Sequence, residues 1–371
     1  MRRQSAAASP LRRHPRVAVA GMLAAGMALL AAQGLPGSPS AVATDAPVLA
    51  PEERAATLAL GPWPPAPVRD ARNPASGRVA GIALGESLFH SARLSPTGLR
   101  CATCHEPWRH LADGRAVAQG IARGSRNTPS LLDVAQHRHF GWDGARDDLT
   151  AQSLRPLEDV REMPASAAQV AAFLRGDAAL SSRYADVFGA APGNDDAQVL
   201  RDVGRALAAY VEPLASPRAP FDDWRDRLAS AAGTGEPAPS AAFPNAARRG
   251  LRLFVGRAGC AACHAGPSFS DDALHASLVH SLAAPGQPDE GHPGGPANAF
   301  RTPGLRDVAA TSPYFHDGSA ARLCDAVQPH AADPGATPPS LSAAERSDLV
   351  AFLRALSADA EREDTPAACS G

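Results

Sequence analysis

The chain has 371 residues, a hydrophobic content of 44% and a formal net charge of −2 at neutral pH. This length allows two globular domains, each with a hydrophobic core of its own. Nothing in this near-neutral composition indicates nucleic-acid binding, which is typical of strongly basic domains.

The N-terminal segment has the pattern of an export signal. Its first 16 residues contain five arginines and no acidic residue, and an apolar run follows from Val17 to Ala32. Small residues at 41–43 offer a cleavage site, so residues 1–43 are predicted to be a cleaved signal peptide of a periplasmic protein. The run is short for a membrane span, and no stable membrane insertion is expected, although an uncleaved N-terminal anchor is the alternative.

A Cys-x-x-Cys-His pattern occurs twice, at Cys101, Cys104 and His105 and again at Cys260, Cys263 and His264. The two thiols of such a motif can add across the vinyl groups of one haem, and the adjacent histidine can ligate its iron. The alternatives are a thioredoxin-like thiol pair or half of a zinc site, but neither explains the histidine or the repeat. The pattern therefore predicts two covalently bound c-type haems.

The two motifs lie more than 150 residues apart, on either side of a stretch rich in Pro, Gly and Ala at 231–244. Such a composition is typical of a linker. The sequence therefore predicts an N-terminal haem domain over residues 69–230 and a C-terminal haem domain over residues 245–360.

Helical periodicity is easier to find than strand alternation in both predicted domains. Residues 195–211 place apolar side chains on one face, and residues 342–356 begin with a Ser-Ala-Ala-Glu capping box before a similar face. Abundant Gly and Pro elsewhere imply long loops around a prosthetic group. The predicted fold class is mainly α.

Two of the six cysteines lie outside the haem motifs. Cys324 and Cys369 could pair in an oxidising compartment, but the sequence does not say whether their Cα atoms come close enough. Their pairing is therefore left open at this point.

A series of blocks follows the chain between roughly residues 80 and 357: ALGESLFHSARLS, the first haem motif, SRNTPSLLDVA, WDGARDDLTAQ, the Glu-Met pair at 162 and 163, RRGLRLFVGRAGCAACHAGPSF and FRTPGLRDVAATSPYFHDGS. Their order resembles the bacterial di-haem cytochrome c peroxidase family, which includes the MauG-like enzymes. The resemblance implies two cytochrome c-like haem domains, an N-terminal peroxidatic one and a C-terminal electron-transfer one, with the haems facing each other. It also implies reduction of hydrogen peroxide, or its use to oxidise a protein substrate.

The resemblance extends to three residues with roles in peroxide chemistry. Glu162 matches the family's distal glutamate, Gln152 matches the glutamine of the same pocket, and Trp142 matches the tryptophan between the haems. A carboxylate above the iron can move a proton between the peroxide oxygens, so that the departing oxygen leaves as water. The alternatives are a solvated glutamate, an ordinary glutamine and a buried core indole.

The N-terminal haem departs from the pattern of many family peroxidases, in which a distal histidine caps the iron. The corresponding loop, residues 116–127, contains no histidine. We therefore expect an open sixth position without reductive activation, as in the MauG-like enzymes. His110, His137 and His139 are near in sequence but do not occupy the capping position, and they are interpreted as surface or structural residues.

The sixth ligand of the C-terminal haem is typically methionine in family peroxidases and tyrosine in MauG. The methionine option is excluded, because only Met163 follows the predicted signal peptide and it lies beside the proposed distal glutamate. His330 occupies the matching position, which favours a bis-histidine haem with His264. His275 or His280 is the alternative ligand. Bis-histidine ligation should lower the potential of this haem relative to a His/Met site.

Two further positions follow from the resemblance. Family members hold a calcium ion between the domains through an asparagine side chain and backbone carbonyls. Asn127 matches the asparagine, and the carbonyls would come from around Arg301 to Pro303; such oxygen ligands suit calcium. His316, in the YFHDG block, is interpreted as a hydrogen-bonding residue behind the haem ligands.

Three functions from different classes fit these observations. The first is a periplasmic peroxidase that takes electrons from a small cytochrome c or a cupredoxin. The second is a MauG-like enzyme that uses peroxide to oxidise side chains of a partner protein, and the third is a non-catalytic electron-transfer cytochrome. The distal carboxylate and the loop without a histidine argue against the third. We place the peroxidase first because it is the broader activity, and the oligomeric state is left open.

Overall fold

The computed structural model describes residues 48–231, 235–277, 279, 289–327, 340–358 and 369, so the predicted signal peptide lies outside the described residues. The α-helices in this part of the chain are α1 (Pro51–Ala59), α2 (Val79–Phe89), α3 (Cys101–Cys104), α4 (Leu149–Glu158), α5 (Ala167–Gly176), α6 (Ala178–Phe188), α7 (Asp196–Val211), α8 (Pro220–Ser230), α9 (Asn245–Val255), α10 (Leu323–Ala326) and α11 (Ala343–Arg354). Strands β1 (Leu274–Ala276) and β2 (Ala299–Arg301) form an antiparallel pair. The prediction of a mainly α fold is confirmed.

Both helices that were predicted from periodicity are present and capped. Asp195 caps α7, and its Oδ1 accepts a hydrogen bond from the Gln198 backbone N–H at 3.0 Å. Ser342 caps α11 in a capping box with Glu345. Caps of this kind satisfy backbone N–H groups that have no partner inside the helix, so they fix where each helix begins.

Each haem motif follows a helix that crosses a second helix at very close range. Helix α2 crosses α7 in the N-terminal half, and α9 crosses α11 in the C-terminal half. A Cβ on Gly85 of α2 would overlap the carbonyl oxygen of Ala206, and a Cβ on Gly250 of α9 would overlap that of Asp348. Only glycine permits such an approach of two backbones. The two halves therefore share one helix-crossing arrangement.

The same helices place an aromatic ring against each motif histidine. Phe89 and Phe254 lie one turn after these glycines, and each ring centroid is 6.5 Å from the imidazole of its motif. Each ring also packs against an aromatic side chain of the crossing helix, Tyr210 at 5.0 Å or Phe352 at 5.1 Å. The helix crossing thus supports the histidine of each haem motif.

The buried apolar side chains form two clusters. One is built mainly from α2 and α4 to α7, and the other mainly from α8, α9 and α11, together with Leu49 and Leu60 on either side of α1. Phe221, Trp224 and Leu228 of α8 belong to the second cluster. The predicted division into two domains stays a prediction, but α8, which it assigns to the N-terminal domain, packs with the C-terminal haem motif. No helix among the described residues is long and apolar enough to cross a membrane.

Cys324 and Cys369 form a disulfide with a Cα–Cα distance of 5.5 Å. Cys369 is buried, and its backbone N–H donates to Ser347 Oγ of α11 at 3.1 Å. The bridge therefore ties α10 to α11. A cross-link between positions 45 residues apart stabilises the fold by restricting the unfolded chain.

Candidate haem sites

Both haem motifs line one cavity of about 1790 Å³. Its walls include all the residues that the sequence assigned to haem attachment and peroxide chemistry within the described chain, namely Cys101, Cys104, His105, Trp142, Gln152, Glu162, Cys260, Cys263 and His264. Small-molecule pockets usually measure about 300–1,000 Å³. The cavity is therefore large enough for more than one bulky ligand.

The thiols of the first motif have the wrong environment for a thiol redox pair. None of the four motif cysteines is disulfide-bonded. Burial raises the pKa of Cys101 to about 12 and that of Cys104 to about 11. A redox-active Cys-x-x-Cys pair instead needs at least one thiol with a lowered pKa. The structure thus fits haem attachment better than thioredoxin-like chemistry.

The motif histidines are held as iron-ligand tautomers. His105 Nδ1 lies 2.9 Å from the carbonyl oxygen of Leu111, and His264 Nδ1 lies 3.1 Å from that of Phe269. A carbonyl can only accept, so Nδ1 carries the proton and Nε2 carries the lone pair that binds a metal. Leu111 and Phe269 both adopt left-handed backbone angles, with φ of 59° and 54°. Burial also lowers the pKa of His105, which favours the neutral ring.

Glu162 lies in the turn after α4, where its side chain is 32% exposed. Its Oε1 accepts a hydrogen bond from Arg155 Nη1 at 2.8 Å. Burial raises the pKa of Glu162, and the positive charge of Arg155 opposes this rise. Arg155 was not predicted from the sequence, although its position three residues after Gln152 on a helix places both side chains on one face.

The loop without a histidine packs directly against the Glu162 segment. The backbone N–H groups of Ile121 and Ala122 donate to the carbonyls of Glu162 and Arg161, each at 3.0 Å. A Cβ on Gly120 would overlap the same backbone. This loop therefore forms a wall beside the proposed distal carboxylate.

Two of the other N-terminal histidines contact carboxylates. His110 Nδ1 lies 3.5 Å from Asp307 Oδ2, and His137 Nδ1 lies 3.2 Å from Asp272 Oδ1. These contacts agree with the interpretation of both residues as structural. Whether the first haem lacks a capping ligand stays a prediction.

Trp142 connects the two halves of the chain. Its Nε1–H donates to the carbonyl oxygen of Asn127 at 2.9 Å. Its own carbonyl accepts from the backbone N–H of Arg301 at 2.9 Å. Because Trp142 lines the cavity that contains both motifs, its ring is part of the wall that the two haem sites share.

The proposed sixth ligand of the second haem, His330, and its alternative His280 lie outside the described residues. His275 on β1 is described, and its Nε2 lies 2.7 Å from Asp271 Oδ2. Ligand atoms of His275, Asp271 and Cys263 lie within 4.8 Å of one another. His275 is therefore placed beside an attachment thiol of the second motif.

Comparisons with known proteins give one consistent family. A family model described as di-haem cytochrome c peroxidase matches residues 79–229. The methylamine utilization protein MauG of Methylorubrum extorquens is 38% identical over 292 residues, which cover 75% of this chain and 78% of that protein. The cytochrome-c peroxidase IdrP2 of a Pseudomonas species is 31% identical over 347 residues, covering 81% and 86%. The crystal structure of the diheme peroxidase BthA from Burkholderia thailandensis superposes with a TM-score of 0.66 at 26% identity, covering 79% of this chain and 90% of that one.

Proposed function

Since the chain belongs to the di-haem cytochrome c peroxidase family, which includes MauG, and is therefore an oxidoreductase with two haem c groups, we propose that it reduces hydrogen peroxide at its N-terminal haem. The electrons would arrive through the C-terminal haem from a small cytochrome c or a cupredoxin. We place the protein in the periplasm, after cleavage of residues 1–43.

One observation carries this proposal: the two haem motifs and the Glu162 carboxylate line the same cavity. The residues present fit two haems, because each motif has two cysteines outside disulfides and a histidine whose Nε2 carries the lone pair. When bound, the haem iron supplies the binding site for peroxide and the change of oxidation state.

The protein side chains would manage the protons. The ionised Glu162 carboxylate accepts a proton from one peroxide oxygen and returns it to the other, so that the second oxygen leaves as water. Gln152, on the same wall, would orient the peroxide through its amide. Across the full reaction, two electrons from the donor and two protons from solvent convert one peroxide molecule into two water molecules. Trp142 would pass electrons between the two haem sites.

We further propose His330 as the sixth ligand of the second haem and a calcium ion at Asn127. The Asn127 amide nitrogen donates to the carbonyl oxygen of Arg115 at 2.7 Å, so Oδ1 is the oxygen that would bind calcium. The carbonyls of Arg301 and Pro303 would complete this site. Arg301 donates its backbone N–H to Trp142, whose indole donates to the backbone carbonyl of Asn127, so the two segments are linked.

A second function, peroxide-driven oxidation of side chains in a partner protein, is favoured by the relative named MauG and by the loop at 116–127 without a histidine. Steady-state kinetics separate the two functions. Rapid, peroxide-dependent oxidation of a reduced c-type cytochrome or cupredoxin supports the peroxidase. Slow donor oxidation, together with new oxidised side chains in a co-purified protein, supports the alternative. A protein that reacts with peroxide in neither assay would overturn both.

Replacing Arg155 by Gln should move the acid limb of the peroxide-reaction pH profile to higher pH. Arg155 favours the charged form of Glu162, so its loss raises the pKa of that carboxyl further. Glu162 works as a base only when ionised, and the rate therefore falls at a higher pH than in the wild type. Stopped-flow rates between acidic and neutral pH measure this shift.

Arg175→Gln is the matched control, since Arg175 at the end of α5 pairs with Asp196 at 2.6 Å and neither residue is among those that line the haem cavity. Its profile should match that of the wild type. An Arg155→Gln profile that is unchanged, or that moves to lower pH, contradicts the assigned pairing.

A further inference from the structure

The chain contains an internal repeat that extends beyond the two haem motifs. Residues 127–145 read NTPSLLDVAQHRHFGWDGA, and residues 301–319 read RTPGLRDVAATSPYFHDGS. The Thr-Pro, Asp-Val-Ala and Asp-Gly positions are identical in the two copies. In this alignment Trp142 corresponds to His316.

The backbone repeats together with the sequence. Asp133 and Asp307 are both left-handed, with φ of 62° and 54°, and each precedes a 3₁₀-helix. Left-handed angles also occur just before Trp142 and just before His316, with φ of 78° and 73°. Three of these four residues, Asp133, Asp307 and Phe315, are not glycine, and few non-glycine residues adopt this region, so its recurrence at matching positions shows a shared local structure. The backbone conformation therefore supports the alignment of Trp142 with His316.

The two copies exchange equivalent hydrogen bonds. The backbone N–H of Asn127 donates to the carbonyl of His316 at 2.7 Å, and that of Arg301 donates to the carbonyl of Trp142 at 2.9 Å. In both cases the first residue of one copy binds the sixteenth residue of the other. Trp142 and His316 therefore occupy corresponding places where the copies meet, and both line the cavity that contains the haem motifs.

His316 has a buried ring nitrogen without a hydrogen-bond partner in the part of the chain that the structure describes. The side chain is 3% exposed, and its ring stacks on Phe300 at 3.9 Å with an interplanar angle of 16°. Its Nε2 has no hydrogen-bond partner among the described residues. Buried polar atoms are rarely left unsatisfied, because they lose their hydrogen bonds to water. Because His316 lines the cavity that contains the haem motifs, a group bound in that cavity can supply the partner of Nε2.

The groups near His316 and the polarity of a haem indicate which kind of atom the partner is. Asp289 is held by Arg126 through two hydrogen bonds of 2.6 and 2.7 Å, and Arg126 also pairs with Asp143. An imidazole Nε2 that carries a proton is a hydrogen-bond donor, and the periphery of a haem is apolar except for its two propionate carboxylates, which accept hydrogen bonds.

We propose that His316 is a positioning residue for haem, whose Nε2–H donates a hydrogen bond to a propionate carboxylate in the shared cavity. The proposal rests on the proposed function, because it requires haem in that cavity. Where the first copy of the repeat supplies an indole for electron transfer, the second supplies a donor that fixes and partly neutralises a propionate. Such a hydrogen bond raises the potential of the haem, because an uncompensated negative charge near iron favours the ferric state.

Two variants of the holoprotein separate the hydrogen bond from the ring. His316→Phe keeps a ring that can stack on Phe300 but removes the donor, whereas His316→Gln keeps an N–H donor and removes the ring. Resonance Raman spectra of the propionate bending modes and spectroelectrochemical potentials of both haems are recorded. We expect His316→Phe to shift one propionate mode and to lower the potential of the same haem, and His316→Gln to remain close to the wild type.

Phe300→Leu is the control, since it removes the stacking partner and leaves the nitrogen in place. It should leave the propionate modes unchanged. Equal spectra for wild type and His316→Phe overturn the proposal, as does loss of a low-spin EPR signal, which would make His316 an iron ligand. If His316→Phe does not retain both haems, a wild-type propionate mode that is insensitive to deuterium exchange also overturns it. If the proposed function itself is wrong, the result is different: the wild-type protein would lack two haems or would not react with peroxide.

Discussion

Replacing Glu162 by Gln is expected to slow the reaction of peroxide with the oxidised protein by about 10²-fold or more, the usual size of a general acid–base contribution. In the wild type, Arg155 Nη1 donates to Glu162 Oε1 at 2.8 Å. Glutamine keeps the shape of the side chain and can still contact Arg155. It cannot carry a proton between the peroxide oxygens. Both haem absorption spectra should stay nearly unchanged, because the iron ligands are untouched. Stopped-flow spectroscopy measures the rate.

Glu158 provides the matched control, since it lies at the end of the same helix, is 52% exposed and pairs with Arg146. Glu158→Gln should react with peroxide at the wild-type rate. If Glu162→Gln reacts as fast as the wild type, or if both variants are slowed equally, the role assigned to Glu162 is wrong.

Replacing Cys260 and Cys263 together by Ala should remove the covalently attached second haem. Denaturing mass spectrometry should show two haems on the wild-type chain and one on this variant. The first motif is intact, so a single reaction with peroxide should survive, whereas turnover with a reduced donor should be lost. The cavity would lose a large apolar group, and a drop in thermal stability is also expected.

The double variant Cys324→Ala and Cys369→Ala is a control with the same number of cysteines removed. It breaks the disulfide but leaves both motifs intact, so it should retain two haems. A wild-type chain with fewer than two covalent haems would contradict the cofactor assignment. An unchanged mass in the Cys260 and Cys263 double variant would contradict the attachment site.

Features set by short-range spacing could be predicted from the sequence. The haem motifs are five-residue patterns, and the helices that begin after Asp195 and Ser342 show an apolar period and a capping residue. Each of these signals lies within one element, so no knowledge of the tertiary structure is needed to find it.

Features that depend on which distant residues meet could not be predicted. The packing of α8 with the C-terminal cluster depends on the path of the chain, and its periodicity alone contains no information about its partner. The same holds for the Cys324–Cys369 disulfide. The repeat of residues 127–145 at 301–319 was visible in the sequence, but the exchange of hydrogen bonds between the copies became apparent only in the structure.

We claim that one haem is open to peroxide while the other is held by two protein ligands, and an EPR spectrum of the oxidised protein tests this claim. Before any reductive treatment, we expect one high-spin signal and one low-spin bis-imidazole signal. Stoichiometric peroxide should abolish the high-spin signal, and His330→Ala should convert the low-spin centre to high-spin. A low-spin signal that survives His330→Ala would transfer the ligand role to His275 or His280. Two low-spin signals in the resting protein, or a high-spin signal that peroxide leaves unchanged, would contradict the claim.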